Sequence, residues 1–87
     1  MSVSLSHIKN RAVGWDITAK ADAEKGERLV AARVEVNGVT VVNENLNSVS
    51  SWTRTLTQQG VFPGSNRVRA TITNDQGDNA SAEDSWE

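Results

Sequence analysis

The chain has 87 residues, 37% of them hydrophobic, no cysteine and a formal net charge of −2. So short a chain forms one domain, because two halves would each be too small to bury a core. The lack of cysteine excludes disulfides, thiolate metal sites and a cysteine nucleophile, and the acidic balance argues against a nucleic-acid surface. No stretch approaches the roughly 20 apolar residues of a membrane span.

The first five residues, Met1 to Leu5, lack the basic and apolar regions of a signal peptide. Two interpretations of the compartment stay open. The protein is intracellular and cytoplasmic, or the sequence is a segment of a longer exported chain and is extracellular or at the cell surface.

Alternation of apolar and polar residues with period two predicts strands along most of the chain. Residues 3–5 predict a short first strand. Residues 13–21, in which every odd position is apolar, predict a half-buried second strand, and residues 30–36 predict a third. Alanine, glutamate and lysine between these strands also favour helix, but Gly26 opposes it, and we predict a loop at residues 22–27.

The dipeptide Asn37-Gly38 lies between two β-branched runs, residues 30–36 and residues 39–42. Asparagine and glycine tolerate the positive φ angles that a type I′ turn requires. The sequence therefore predicts a hairpin that joins the third and fourth strands.

Three more strands are predicted in the second half of the chain, at residues 52–57, 67–73 and 80–86. Gly60 and Pro63-Gly64 end the first of them, and a polar turn cluster at residues 74–79 separates the other two. About seven short strands with turn signals roughly every 8–12 residues predict an all-β fold, an antiparallel sandwich.

The stretch from Pro63 to Ser81 resembles the closing hairpin of bacterial immunoglobulin-like domains. That family has a Gly-x-Asn opening, alternating valine and alanine, and then a turn that ends in Gly-Asn. Asp75-Gln76-Gly77-Asp78 matches the turn, with Asp78 in place of the usual asparagine. Residues 34–38 and 51–53 fit the middle strands of the family, so that the resemblance covers about residues 29–82.

The resemblance implies one immunoglobulin-like β-sandwich over residues 1–87, with about seven strands. It also implies a module of a secreted or surface protein, such as a spacer, an adhesin stalk or an appendage beside a catalytic or carbohydrate-binding domain. Two features depart from the family: Arg67 stands where many relatives have an aromatic residue, and no cysteine pair joins the sheets.

Catalytic signatures are not found in the sequence. His7 is the one histidine, and no Gly-x-Ser-x-Gly, His-Glu-x-x-His or phosphate-binding glycine loop is present. The neighbouring carboxylates Glu83 and Asp84 would point to opposite faces of a strand. We therefore expect that the protein is not an enzyme.

Acidic residues concentrate in three predicted loops, at residues 22–27, 43–45 and 74–78, that meet at one end of a sandwich with the usual strand order. Converging oxygen ligands of this kind are what Ca²⁺ requires, with 6–8 oxygens for each ion. The alternative is that the loops are polar because they face water, and no EF-hand loop supports the calcium hypothesis. The candidate ligands are Asp22, Glu24, Glu27, Glu44, Asp75 and Asp78.

A charged outer face is predicted for the sheet that contains the third, sixth and seventh strands, where cross-strand ion pairs contribute about 0.2–1 kcal/mol each. A solvated face explains such a pattern as well as a docking surface does. The residues expected on this face are Arg33, Glu35, Arg67, Arg69 and Glu83.

The three tryptophans differ in their sequence context. Trp15 lies on the apolar side of its strand and is predicted in the core. Trp52 is also predicted in the core, although Arg54 shares its side of the strand. Trp86 either closes one end of the core or is exposed and binds a sugar or a partner protein by stacking.

The leading hypothesis is a non-catalytic structural or adhesive module whose partners are neighbouring domains or another protein. The assumed strand order places the first residue at the acidic end and the last residue at the opposite end. A carbohydrate- or protein-binding domain that uses the end loops or Trp86 is the alternative. A third hypothesis is a stand-alone intracellular inhibitor or phage structural component. We expect a monomer with no cofactor apart from the calcium hypothesised above.

Overall fold

The structure, a computed structural model, describes residues 1–10, 14–58 and 66–86. These residues form seven strands and no helix, so that none of them belongs to a helix able to cross a membrane. The strands are β1 (Ser2–Asn10), β2 (Gly14–Asp22), β3 (Leu29–Val36), β4 (Val39–Val49), β5 (Ser51–Gln58), β6 (Asn66–Asn74) and β7 (Asn79–Trp86).

The strands form two antiparallel sheets, one of three strands in the order β1-β2-β5 and one of four in the order β4-β3-β6-β7. This confirms the predicted all-β fold with seven strands. The third, sixth and seventh strands are neighbours, as the predicted outer face required.

The core lies between the two sheets, because each strand turns every second side chain inward. Burial alternates strictly along β6, from Asn66 to Asn74. Both sheets contribute to the same cluster, so that each covers the apolar face of the other. The buried apolar residues are Ile17, Ala19, Ala21, Leu29, Ala32, Val34, Val36, Val42, Trp52, Val68, Ala70 and Ile72.

The predicted hairpin between β3 and β4 is confirmed. Asn37 and Gly38 both have positive φ angles, of 50° and 83°, as a type I′ turn requires. The turn is attached to β6, since the Asn37 N–H donates to the Arg67 carbonyl oxygen at 2.8 Å and Asn37 Oδ1 accepts the Arg67 N–H at 2.9 Å.

Two strand predictions were too short. β1 has nine residues rather than three, and β4 continues to Val49, so that the predicted loop at residues 43–45 is wrong. Burial of Val42 and partial burial of Leu46 hold this segment in the sheet, although asparagine disfavours strands. Ser50 alone then connects β4 to β5 in the other sheet.

Some predictions fall outside the described residues. They are the start of the second strand at Val13, the strand end at Gly60, and the Pro63-Gly64-Ser65 opening of the resemblance. The described part of β2 begins at Gly14, and that of β6 begins at Asn66.

Candidate functional site

The acidic end of the molecule is organised by Asn74, the last residue of β6, which is 3% exposed. Its Oδ1 accepts the backbone N–H groups of Gln76 at 3.0 Å and Asp78 at 2.8 Å. Its Nδ2 donates to Glu27 Oε2 at 2.8 Å. One buried amide therefore shapes the β6–β7 turn and joins it to the β2–β3 loop.

Glu27 is held by donors on both carboxylate oxygens. Oε1 accepts the Glu24 backbone N–H at 2.9 Å and lies 2.7 Å from the Met1 ammonium nitrogen. The hydrogen bond from Glu24 is the first cause that lowers the pKa of Glu27 to about 2, and those from Met1 and Asn74 follow. The hydrogen bond between the Met1 ammonium and Glu27 is also the first cause that raises the pKa of this ammonium. Glu27 is thus a structural anion of this end.

The structure brings only part of the predicted calcium ligand set to this end. Asp75 Oδ1 accepts the Arg28 N–H at 3.2 Å, and the side chains of Asp22, Glu24 and Asp78 are exposed. Across residues 1–10, 14–58 and 66–86, no three His, Cys, Asp or Glu side chains gather as metal ligands do. Calcium binding stays a prediction.

Glu44 was wrongly assigned to a loop at that end. It lies on β4 opposite Ala32, and its side chain reaches the boundary between the sheets. Oε2 accepts the Trp52 Nε1–H at 3.0 Å, and Oε1 accepts Arg54 Nη1–H at 2.8 Å. We call Glu44, Trp52 and Arg54 the β4–β5 seam. The seam explains how Arg54 can share a strand face with a core tryptophan.

A second cluster closes the opposite side of the sandwich, where β1 lies beside β7. His7 Nδ1–H donates to Asp84 Oδ2, and the imidazole stacks on Trp86 with ring centroids 4.3 Å apart and planes at 17°. Trp15 completes the cluster, with its ring edge-on to His7 at 5.4 Å. We call His7, Asp84 and Trp86 the β1–β7 seam.

The two seams differ in how they satisfy their tryptophan. The Trp52 indole nitrogen donates to Glu44, whereas Trp86 Nε1 is buried and has no hydrogen-bond partner among the described residues. Trp52 is 9% exposed and belongs to the core, as predicted. Trp15 is half-buried rather than fully in the core, and Trp86 is half-buried against it.

One face of the Trp86 ring is covered by His7, so that this face is not an open platform for a sugar. The sequence interpretation missed the pair of His7 and Asp84. A signal was present, because His7 follows Val3 and Leu5 at inward-facing positions, and Asp84 follows Ala80 and Ala82 in the same way. This alternation indicates that both side chains face inward, but it does not indicate that they meet, since they are 77 positions apart.

The predicted charged face is confirmed on the outer side of the four-stranded sheet. Arg33 Nε lies 3.1 Å from Glu35 Oε1, and Arg69 Nε lies 3.8 Å from Glu83 Oε1. Arg67 is exposed on the same face. These exposed pairs are worth about 0–1 kcal/mol each, which fits a solvated face.

Comparisons of the chain with protein-family models, with curated proteins and with solved structures give no match. The function is therefore inferred from the geometry of the molecule itself. That geometry consists of two side-chain seams, an acidic end held by Asn74, and outer faces that are mostly polar on both sheets, with Ile8, Val39 and Val41 exposed among the polar residues.

Proposed function

We propose that this chain is a non-catalytic module of the immunoglobulin-like kind, a spacer or interaction domain of a bacterial surface or secreted protein. Its partners would be neighbouring domains of the same protein or a second protein. The strand order supports the immunoglobulin-like assignment, because two antiparallel sheets with β3, β6 and β7 adjacent are typical of such sandwiches.

The positions of the chain ends carry the spacer proposal. The Met1 ammonium contacts Glu27, and Glu27 accepts a hydrogen bond from Asn74, the last residue of β6. Trp86 pairs with Asn66, the first residue of β6. Eight steps of about 3.4 Å along β6 separate these ends by about 27 Å. The molecule measures 42 × 20 × 17 Å. A chain that enters at one end and leaves at the other can be joined to like domains in a row.

The non-catalytic part of the proposal is supported by the state of the one histidine. His7 is committed to Asp84 on its Nδ1 and to Trp86 on its ring face. The stacking on Trp86 and the edge-on contact with Trp15 give the imidazole a packing role between β1 and β7, and the sequence has no nucleophile motif that it would activate.

A tandem fusion of two copies, joined directly end to end, tests the spacer proposal. We expect small-angle X-ray scattering to give a maximum dimension about twice that of one copy, because short linkers keep neighbouring domains in a row. A matched fusion with a long Gly-Ser linker should give a broader distance distribution. A maximum dimension close to that of one copy in the direct fusion would contradict the proposal.

Gene context supplies an independent test. We expect the adjoining reading frame to encode further sandwich domains. A reading frame limited to these residues would instead favour the stand-alone intracellular hypothesis. A glycan or protein ligand whose binding is abolished by Trp86→Ala would favour the binding-domain alternative.

A further inference from the structure

Tension between the chain ends would load the first and last strands in opposite directions. β1 runs away from the acidic end, where Met1 lies, and β7 runs in the same direction and finishes at Trp86. Pulling on both ends of the chain therefore draws β1 toward the acidic end and β7 toward the other. This consequence rests on the proposed spacer function, since a spacer is the kind of module that carries such a load.

Within each sheet, the terminal strand is loaded in shear. β1 pairs with β2 from Ser2–Asp22 to Asn10–Gly14 without a register shift. β6 pairs with β7 from Asn66–Trp86 to Thr73–Asn79, also without a register shift. Antiparallel hydrogen bonds run perpendicular to the strands, so that force along a strand loads the whole ladder together. The register shifts occur between β3 and its partners, away from both terminal strands.

Between the sheets, the two sides of the sandwich are joined differently. The chain itself crosses at Ser50 on the β4–β5 side. In the described part of the chain, β1 is hydrogen-bonded to β2 and β7 to β6, with no ladder between β1 and β7. Side chains must therefore resist sliding of β1 past β7.

We infer that the β1–β7 seam is a mechanical latch, in which His7 bonded to Asp84 and stacked on Trp86 holds the first strand against the last when the chain is under tension. The hydrogen bond joins the two terminal strands directly, although they belong to different sheets. The stacked rings add a contact that sliding along the strand axis would separate.

Single-molecule unfolding in two pulling geometries tests the latch on the full chain. In the first geometry, handles are attached to the chain ends, which loads the seam. In the second, Thr40→Cys and Gln76→Cys carry the handles, at opposite ends of the four-stranded sheet, so that tension stays within one sheet. Because the chain has no native cysteine, these attachment points are unique.

We expect His7→Ala to speed unfolding about tenfold at a given force in the end-to-end geometry, the effect of losing one charge-assisted hydrogen bond. The rate in the second geometry should change much less. Asp84→Asn, which keeps the side-chain shape, gives the same pattern if His7→Ala does not fold. Thr57→Val, which removes the 2.8 Å bond to Asp16 within one sheet, is the matched control and should show no dependence on geometry.

An equal acceleration by His7→Ala and Asp84→Asn in both geometries would overturn the latch, because the seam would then be an ordinary source of stability. The scattering test of the spacer uses no force and does not touch the seam. A fusion that fails to extend while the latch persists refutes only the spacer, and the reverse result refutes only the latch.

Discussion

The two seams close opposite sides of the sandwich and differ in how many of their polar atoms are hydrogen-bonded. Each closes an open side of the sandwich with a tryptophan, a carboxylate and one further polar side chain. At the β4–β5 seam, Glu44 receives a hydrogen bond on each oxygen, and the Trp52 indole nitrogen is satisfied. At the β1–β7 seam, the Asp84 carboxylate accepts a hydrogen bond from His7, and Trp86 Nε1 is buried with no partner in the part of the chain that the structure describes.

The difference follows from chain connectivity. A single residue, Ser50, fixes β4 beside β5, so that a close polar network costs little additional ordering. β1 and β7 are brought together only by tertiary packing, and stacked rings tolerate small shifts better than directional hydrogen bonds do. We therefore expect the β4–β5 seam to contribute more to equilibrium stability and the β1–β7 seam to have its main effect when the chain is under tension.

Removal of the buried indole should have the largest effect. Trp52→Ala is expected to lower the free energy of unfolding by about 3–5 kcal/mol, through the lost core contacts and the loss of the hydrogen bond to Glu44 Oε2. Trp86→Ala should cost less, because this side chain is only half-buried. Urea unfolding with a common m-value measures both, and a larger loss for Trp86→Ala would reverse the ranking of the seams.

The two Trp→Phe substitutions sharpen the comparison, because they remove the same atoms from each seam. Trp52→Phe removes a donor to a carboxylate, whereas Trp86→Phe removes an N–H that has no partner within residues 1–10, 14–58 and 66–86. Trp52→Phe should therefore cost about 1.5–3 kcal/mol more than Trp86→Phe. Equal losses of stability would contradict this ranking of the two substitutions.

Sequence alone predicted most of the strands and much of the core, with β1 and β4 too short and Trp15 too deeply buried, but it predicted neither seam. Alternation identifies which side of a strand faces inward, and it placed Trp52 and Arg54 together on one side of β5. It does not say which inward residues of other strands meet them. Glu44 was hidden by an asparagine-rich segment typical of loops, and His7 by its distance of 77 positions from Asp84.

The same limit applies to the acidic end. Its loops were predicted correctly where local turn residues determine them, as at Asp75 to Asp78, and its position beside the first residue followed from the assumed strand order. The role of Asn74 as the amide that joins two loops depends on tertiary contacts with Glu27, which no local pattern encodes.

Substitution of Glu27 is expected to have the smallest effect on the free energy of unfolding. Glu27 belongs to neither seam, so that this substitution serves as a reference for the others. Its pKa is lowered from 4.5 to about 2, so the stability that it contributes is present above about pH 4.5 and is lost as the pH falls toward 2. The gap in unfolding free energy between the native chain and Glu27→Gln should stay constant from neutral pH to about 4.5 and then close. Because Glu27 shares no partner with the β4–β5 seam, the same closure is expected in chains that carry Trp52→Phe. A gap that persists unchanged to pH 2, or that differs in the Trp52→Phe background, would mean that Glu27 is not held as an anion or that the acidic end is coupled to the seam.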